Sequence, residues 1–348
     1  MIYIVDIEAV DTRYTAQWKK HLPEQLREHA GGDVTVISGG EVPQATTPGA
    51  FLNFGGTNVY KSNQLQQIAT LFCNGQINDG DYFLYTDAWN PTVIQLRYMS
   101  SLLGVDINIG GMWHAGSYDP QDFLGRLIGD KPWVRNAERS MFDCYDHNYF
   151  ATQFHIDMFL KAFPDCAVYS DTIIRCGWPM EYLKDTLAPY KGMDKENIIL
   201  FPHRMAPEKQ PEIFRDLAKE FPDYEFVFAQ EKELTKDEYH DLLGRSKMVF
   251  SANTQETLGI SWYEGALVGA IPLVPDRLSY TEMGTDEVLY LSEWSEDFDK
   301  YVLHKEKLVQ RMQFLLQSNT NEQVCNKVAN HLDGYFNGKE LYKTIKGT

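Results

Sequence analysis

Residues 251–276, SANTQETLGISWYEGALVGAIPLVPD, fix how the rest of the chain is laid out. Just before them, Met248-Val249-Phe250 is an apolar run that reads as a buried strand. The polar turn from Ala252 to Thr257 supplies residues suited to capping a helix start. Ile260, Tyr263, Ala266 and Leu267 then recur at helical spacing until Gly269, and residues 271–274 form a second short apolar run. The order is strand, loop, helix, strand, the repeating unit of a parallel α/β sheet. Glu256 stands before the helix, and Glu264 lies about two turns further on at 3.6 residues per turn. A loop of this kind points backbone N–H groups and the positive end of a helix dipole at one place, which suits a phosphate.

Working outward, the same alternation continues in both directions. Upstream in the second half, strands are expected over 198–201 and 224–228, with helices over 207–221 and 236–245. Downstream, 288–291 reads as a strand and the tail as helical, with Leu303, Leu308, Met312, Leu315 and Leu316 as its apolar positions. The first half gives strands over 2–7, 34–37, 51–54, 82–85, 107–112 and 148–150. Helices are expected over 16–29, 61–73, 91–103, 134–145 and 152–163. Alternation on this scale predicts mostly parallel sheets with right-handed crossovers. A composition change near Cys176-Gly177-Trp178-Pro179, with the polar run to Lys195, marks the crossover between two domains.

The 348 residues are enough for two such domains. No apolar run approaches the roughly 20 residues of a membrane span, and Met1-Ile2-Tyr3-Ile4-Val5 enters a strand without a signal-peptide pattern. The five cysteines are scattered and form no CxxC pair. They read as free thiols of a cytoplasmic protein. A net charge of −17, shared by both halves, opposes long-range attraction to polyanions. A nucleic-acid partner would need a local basic patch.

Set out in full, the central stretch gives Glu256-Thr257-Leu258-Gly259, then Glu264-Gly265-Ala266, then Gly269-Ala270-Ile271-Pro272. This resembles the Glu-x7-Glu signature of the retaining GT-B glycosyltransferases of the family-4 type. Leu258 replaces the usual Phe, and Gly265 interrupts the usual Glu-Ala pair. Upstream, His203-Arg204-Met205-Ala206-Pro207-Glu208-Lys209 resembles the family's Gly-Arg-x-x-x-Glu-Lys element, with His203 where Gly is common. The resemblance implies a GT-B fold, two Rossmann-like doubly wound domains facing a cleft. Residues 1–178 would be the acceptor-side domain and 195–320 the nucleotide-sugar domain. Residues 321–348 would be helices returning to the first domain.

It also implies roles. Arg204 and Lys209 would hold the donor diphosphate, stabilising the leaving group more than the bound donor. Glu264 would accept from the ribose hydroxyls, and Glu256 would contact the donor sugar. The backbone N–H groups of Leu258, Gly259 and Ile260 would meet phosphate, and the loop at Phe228-Ala229-Gln230 would seat the base. No Asp-x-Asp motif stands at a strand end, so the expectation is a metal-independent site without a cofactor, with a UDP-sugar as co-substrate.

In the first half, His114 follows a strand at Gly110-Gly111-Met112-Trp113 and would lie near the reacting sugar. Asp87 ends another strand and would orient the acceptor hydroxyl, or else cap the helix that begins near Pro91. Many relatives carry a Gly-Gly loop after the first strand; here it reads Glu8-Ala9-Val10-Asp11-Thr12. The run Asp276-Arg277-Leu278-Ser279-Tyr280-Thr281-Glu282 is similar to one in glycosyltransferases that mannosylate queuosine in tRNA. The chain also resembles compact bacteriophage glycosyltransferases that modify hydroxymethylated pyrimidines in DNA. Arg126, Lys131, Arg135 and Arg139, with Trp133 among them, are the candidate face for such an acceptor. A tRNA, a soluble glycan, or a non-catalytic sugar-nucleotide-binding role are the alternatives.

Overall fold

Two all-parallel sheets carry the chain, as the computed structural model describes it for residues 1–9, 14–42, 52–318 and 321–348. The first comprises β1 (Ile2–Val5), β2 (Val34–Ile37), β3 (Tyr82–Tyr85), β4 (Asn108–Trp113), β5 (His147–Phe150) and β6 (Ile173–Arg175). Its order is β2-β1-β3-β4-β5-β6. All four residues of β1 and of β3 are buried, so these strands read as unbroken apolar runs and not as alternating ones. Strand β6 is short and only half-buried, and its weak pattern leaves no signal in the sequence.

The second sheet comprises β7 (Ile198–Phe201), β8 (Glu225–Phe228), β9 (Met248–Phe250), β10 (Ile271–Asp276) and β11 (Leu289–Leu291), in the order β11-β10-β9-β7-β8. Each sheet has its own core. Phe83, Ile109, Trp113, Phe150 and Phe159 pack in the first, and Leu200, Val227, Leu243, Val249 and Val268 in the second. The chain divides into Met1–Pro179 with Gly338–Thr348, and Met180–Asn337. Of the tail expected to return to the first domain, only Gly338–Thr348 belongs there; Asn321–Leu332 stays with the second unit.

Three expected elements differ. The strand at 51–54 is not formed where it is described: Phe51 lies outside the described residues, and Phe54 opens the helix Phe54–Cys73. Asn53 caps this helix, its Oδ1 accepting from Gly56 N–H at 2.8 Å, so glycines that look like breakers occupy the first turn. The polar run from 180 to 195 contains the helix Tyr182–Leu187. The helix expected over 207–221 is split into a 3-10 turn, Pro207–Lys209, and a helix, Pro211–Leu217. Pro211 disfavours the helical conformation at the residue before it, and Gln210 instead sits at φ 52°.

Candidate active site

In the second sheet the chain runs from β7 to β8 on one side and then returns to β9 on the other. The carboxyl ends of β7 and β9 therefore flank the point where the winding reverses, the position at which open α/β sheets bind ligands. The segment after β7 holds His203, Arg204 and the turn Pro207–Lys209. The segment after β9 holds residues 251–259 and then the helix Ile260–Val268. The two motifs, distant in sequence, are bonded to each other here. Thr254 N–H donates to the Glu208 carbonyl at 2.8 Å, and Lys209 Nζ donates to the Gln255 carbonyl at 2.6 Å. Lys209 Nζ also lies 3.5 Å from Glu256 Oε2. Gln210, in its left-handed conformation, donates to the carbonyls of Ala252 (2.6 Å) and Ser295 (2.7 Å), stapling the loop in place.

The cations are held by carboxylates. Arg204 Nη2 pairs with Glu208 Oε1, and the Glu208 side chain is almost fully buried. His203, just before Arg204, is also buried. Burial, then the charges of Lys209 and Arg204, push its imidazole well below the ordinary range, so it is neutral at pH 7. The cationic pair thus comes with two acidic partners, Glu208 and Glu256, that hold it in place before any anion arrives.

The helix Ile260–Val268 begins without a side-chain cap. Gly259 precedes it at φ 94°, and a Cβ there would stand 2.8 Å from the Tyr280 ring, so both conformation and space call for glycine. Glu256 turns its Oε1 toward the N–H groups of Thr257 (3.2 Å) and Leu258 (3.4 Å). The Leu258 N–H, expected to meet phosphate, is engaged by this carboxylate. The N–H groups of Gly259, Ile260 and Ser261 have no acceptor among the described residues, and the helix dipole adds positive potential there. Further along, Gly265 lets the helix close on β9, since a Cβ would lie 2.9 Å from Val249 Cγ2. The departure from the Glu-Ala pattern is thus a packing solution.

Glu264 is buried on this helix, with its carboxylate held from the neighbouring helix Lys236–Arg245. Tyr239 Oη donates to Oε2 at 3.0 Å, and Lys236 Nζ lies 3.5 Å from Oε1. Gln230 Oε1 accepts from Met205 N–H at 2.5 Å, tying the loop after β8 to the Arg204 loop. Sequence reasoning missed Tyr239, Lys236, Gln210 and Asn253, which lie outside the two motifs and carry no spacing signal. Arg277, from the run similar to the queuosine enzymes, is a scaffold. Its guanidinium donates to the carbonyls of Asn253, Ala252, Ser292 and Ser295 and holds the site loop from below.

In the first unit the sequence-predicted residues behave differently. His114 Nε2 lies 2.6 Å from the Thr86 carbonyl and Nδ1 lies 2.7 Å from Tyr14 Oη. The ring sits among Tyr14, Trp18 and Trp178. Both nitrogens are therefore engaged by protein, as in a structural histidine. Asp87 accepts from Trp89 N–H at 3.1 Å and lies 3.8 Å from Lys61 Nζ. It does not cap the helix Thr92–Leu103, whose N-cap position is Pro91 without a side-chain cap bond; Asn90 Oδ1 accepts from Thr92 N–H at 3.2 Å just before it. Of the loop after β1, Glu8 is buried and residues 10–12 lie outside the described residues.

Two of the four cations of the candidate nucleic-acid face are paired with carboxylates. Arg135 pairs through two nitrogens with Asp130, and Arg139 lies between Asp143 (3.1 Å) and Asp165 (3.6 Å). Trp133 is exposed beside them. Among the described residues no three His, Cys, Asp or Glu side chains converge as metal ligands, and no helix is long and apolar enough to cross a membrane.

No family model matches the sequence, and no curated protein matches it in sequence. Solved structures do match in architecture. Sucrose-phosphate synthase from Thermosynechococcus elongatus is similar with a TM-score of 0.64 at 10% identity, over 99% of this chain and 97% of that one. The catalytic domain of starch synthase IV from Arabidopsis thaliana, bound to ADP and acarbose, is similar with a TM-score of 0.61 at 11% identity, over 100% and 99%. The pneumococcal O-GlcNAc transferase GtfA, in complex with UDP and GlcNAc, is similar with a TM-score of 0.55 at 12% identity, over 82% of this chain. This chain spans 60% of the length of that transferase. At such identities the likeness is one of fold, and the fold is the GT-B type, with two Rossmann-like parallel sheets.

Proposed function

We propose that this chain is a nucleotide-sugar-dependent glycosyltransferase that acts with retention of configuration. The observation that carries the reading is the meeting of Arg204, Lys209 and the open helix start at Gly259–Ser261, where the second sheet reverses its winding. That arrangement suits a diphosphate. The guanidinium and ammonium groups oppose its charge, and the N–H groups of Gly259, Ile260 and Ser261 receive its oxygens. Glu264, fixed by Tyr239 and Lys236, accepts from the ribose hydroxyls. Glu256, bonded to Lys209, contacts the donor sugar. The cations and helix N–H groups take the part a phosphate-bound metal plays elsewhere, so activity should survive a chelator.

The donor we propose is a UDP-sugar, since the architectural neighbour GtfA was solved with UDP. For the acceptor, a hydroxymethylated pyrimidine in bacteriophage DNA is the first to test, supported by the compact size of the chain. The carboxylate pairing of Arg135 and Arg139 favours a second reading, an uncharged acceptor such as a soluble glycan. Purified protein should release UDP from one UDP-sugar in a donor screen, faster when the true acceptor is present. Tight nucleotide binding with no turnover in any donor–acceptor pair would point to a sugar-nucleotide-binding protein instead. No binding of any nucleoside diphosphate would end the reading.

A further inference from the structure

His203 is the residue that neither motif explains. It follows β7 by two positions and directly precedes Arg204. Its side chain is more than nine-tenths buried, at 8% exposure, and packs edge-on against Phe201 with ring centroids 5.1 Å apart. Yet its Nε2 is buried with no hydrogen-bond partner among the described residues. Buried polar atoms of folded proteins are nearly always bonded, so an orphan at a ligand-binding edge marks a place where a partner is to arrive. A second buried atom of the same site has the same property: Asn253 Oδ1, on a fully buried residue whose Nδ2 lies 3.1 Å from Tyr280 Oη. Unmatched atoms therefore occur in both segments that form the site.

Resting on the glycosyltransferase reading, we propose that His203 is an additional ligand for the donor diphosphate, its imidazole donating a hydrogen bond to a phosphate oxygen held by Arg204 and Lys209. Arg204 and Lys209 are the charged groups acting directly on the ring, and Glu208 and Glu256 are their carboxylate partners. In the free protein the two cations and the burial keep the ring neutral. A bound diphosphate offsets those cations, so the ring regains affinity for a proton while it gains an acceptor. Binding is then coupled to proton uptake, which a histidine that only fills space would not produce.

The test is titration calorimetry of the full chain with UDP near pH 6.5, in two buffers of different ionisation enthalpy. Wild type should take up a measurable fraction of a proton. His203→Gln, which keeps a donor, should bind within about threefold of wild type without the uptake. His203→Ala should bind about tenfold more weakly, the scale of one lost hydrogen bond to a charged group. If His203→Ala does not fold, the Gln variant decides the matter through proton uptake alone. Unchanged affinity in the Ala variant, or equal proton uptake in the Gln variant, would overturn the assignment while leaving the glycosyltransferase reading intact. Failure of wild type to bind UDP, GDP or ADP would remove both, and that result is distinct from the other two.

Discussion

The carboxyl edges of the two sheets hold similar inventories of polar side chains, yet the residues that the sequence singled out are bonded differently in each. In the first unit, His114 has both ring nitrogens engaged and Asp87 is shared between Trp89 N–H and Lys61. In the second, Arg204 and Lys209 are held by carboxylates, and among the described residues three helix N–H groups lack acceptors while His203 Nε2 and Asn253 Oδ1 are buried without partners. His114 and Asp87 are thus bonded to protein, whereas part of the second edge is not. Unpartnered buried atoms also occur in the first unit among the described residues, at Asp6 Oδ2, Glu138 Oε2 and His155 Nδ1, so what distinguishes the second edge is their coincidence with a cationic pair and a helix start. Unmatched polar atoms cost stability, and they persist where a ligand supplies the missing partner.

The contrast can be broken experimentally. Arg204→Lys should have the largest effect. It keeps the charge but loses the planar fork, so kcat should fall by about 10²–10³ while donor Kd rises much less. Wild-type kcat combined with a lowered Tm would make Arg204 part of a helix start and end its catalytic assignment. Next, Glu264→Gln removes the carboxylate charge but leaves an acceptor for Tyr239. UDP affinity should weaken by about 1.5–3 kcal/mol, read by calorimetry. An unchanged Kd would take Glu264 out of the ribose site.

Two smaller effects probe the first unit. Burial raises the Asp6 carboxyl to about 6, while hydrogen bonds from Tyr60 and Gln64 and the charge of Lys19 oppose this. Its folded value lies above the unfolded one, so between the two the unfolded chain holds fewer protons. Stability must then fall as pH rises from about 4 to about 6, by about 3 kcal/mol in all, of which about 1.4 kcal/mol is lost above pH 5. Asp6→Asn should flatten that dependence in denaturant titrations at pH 5 and pH 8; an equal slope in both proteins would assign the titration elsewhere. Finally, His114→Ala should cost about 1–2 kcal/mol of stability by stripping partners from Tyr14 and Thr86, with UDP affinity untouched. A tenfold loss of affinity at constant Tm would restore His114 to the active site.

How far the sequence reached depends on the range of the interaction involved. Its apolar runs located ten of the strands and missed the short, half-buried β6, because β-pattern signals come from burial on both faces. The split of the 207–221 helix was written in Pro211, a local backbone constraint overlooked beside the stronger helical periodicity. Glu256, Glu264, Arg204 and Lys209 were identifiable because each lies in a contiguous motif. Tyr239, Lys236 and Gln210 were not, since they reach the site from other elements through side-chain contacts that leave no trace in spacing.

The sequence by itself thus determined the alternating α/β architecture and the two motifs, because strand burial, helix periodicity and proline or glycine conformation act over a few residues. Tertiary structure alone decided which polar groups remain unmatched. It joined the segment after β7 to the one after β9, placed Leu258 N–H on Glu256, and enclosed His114 between Tyr14 and Thr86. Hydrogen-bond satisfaction is a property of atoms brought together from distant positions, and it exists only once the chain has folded.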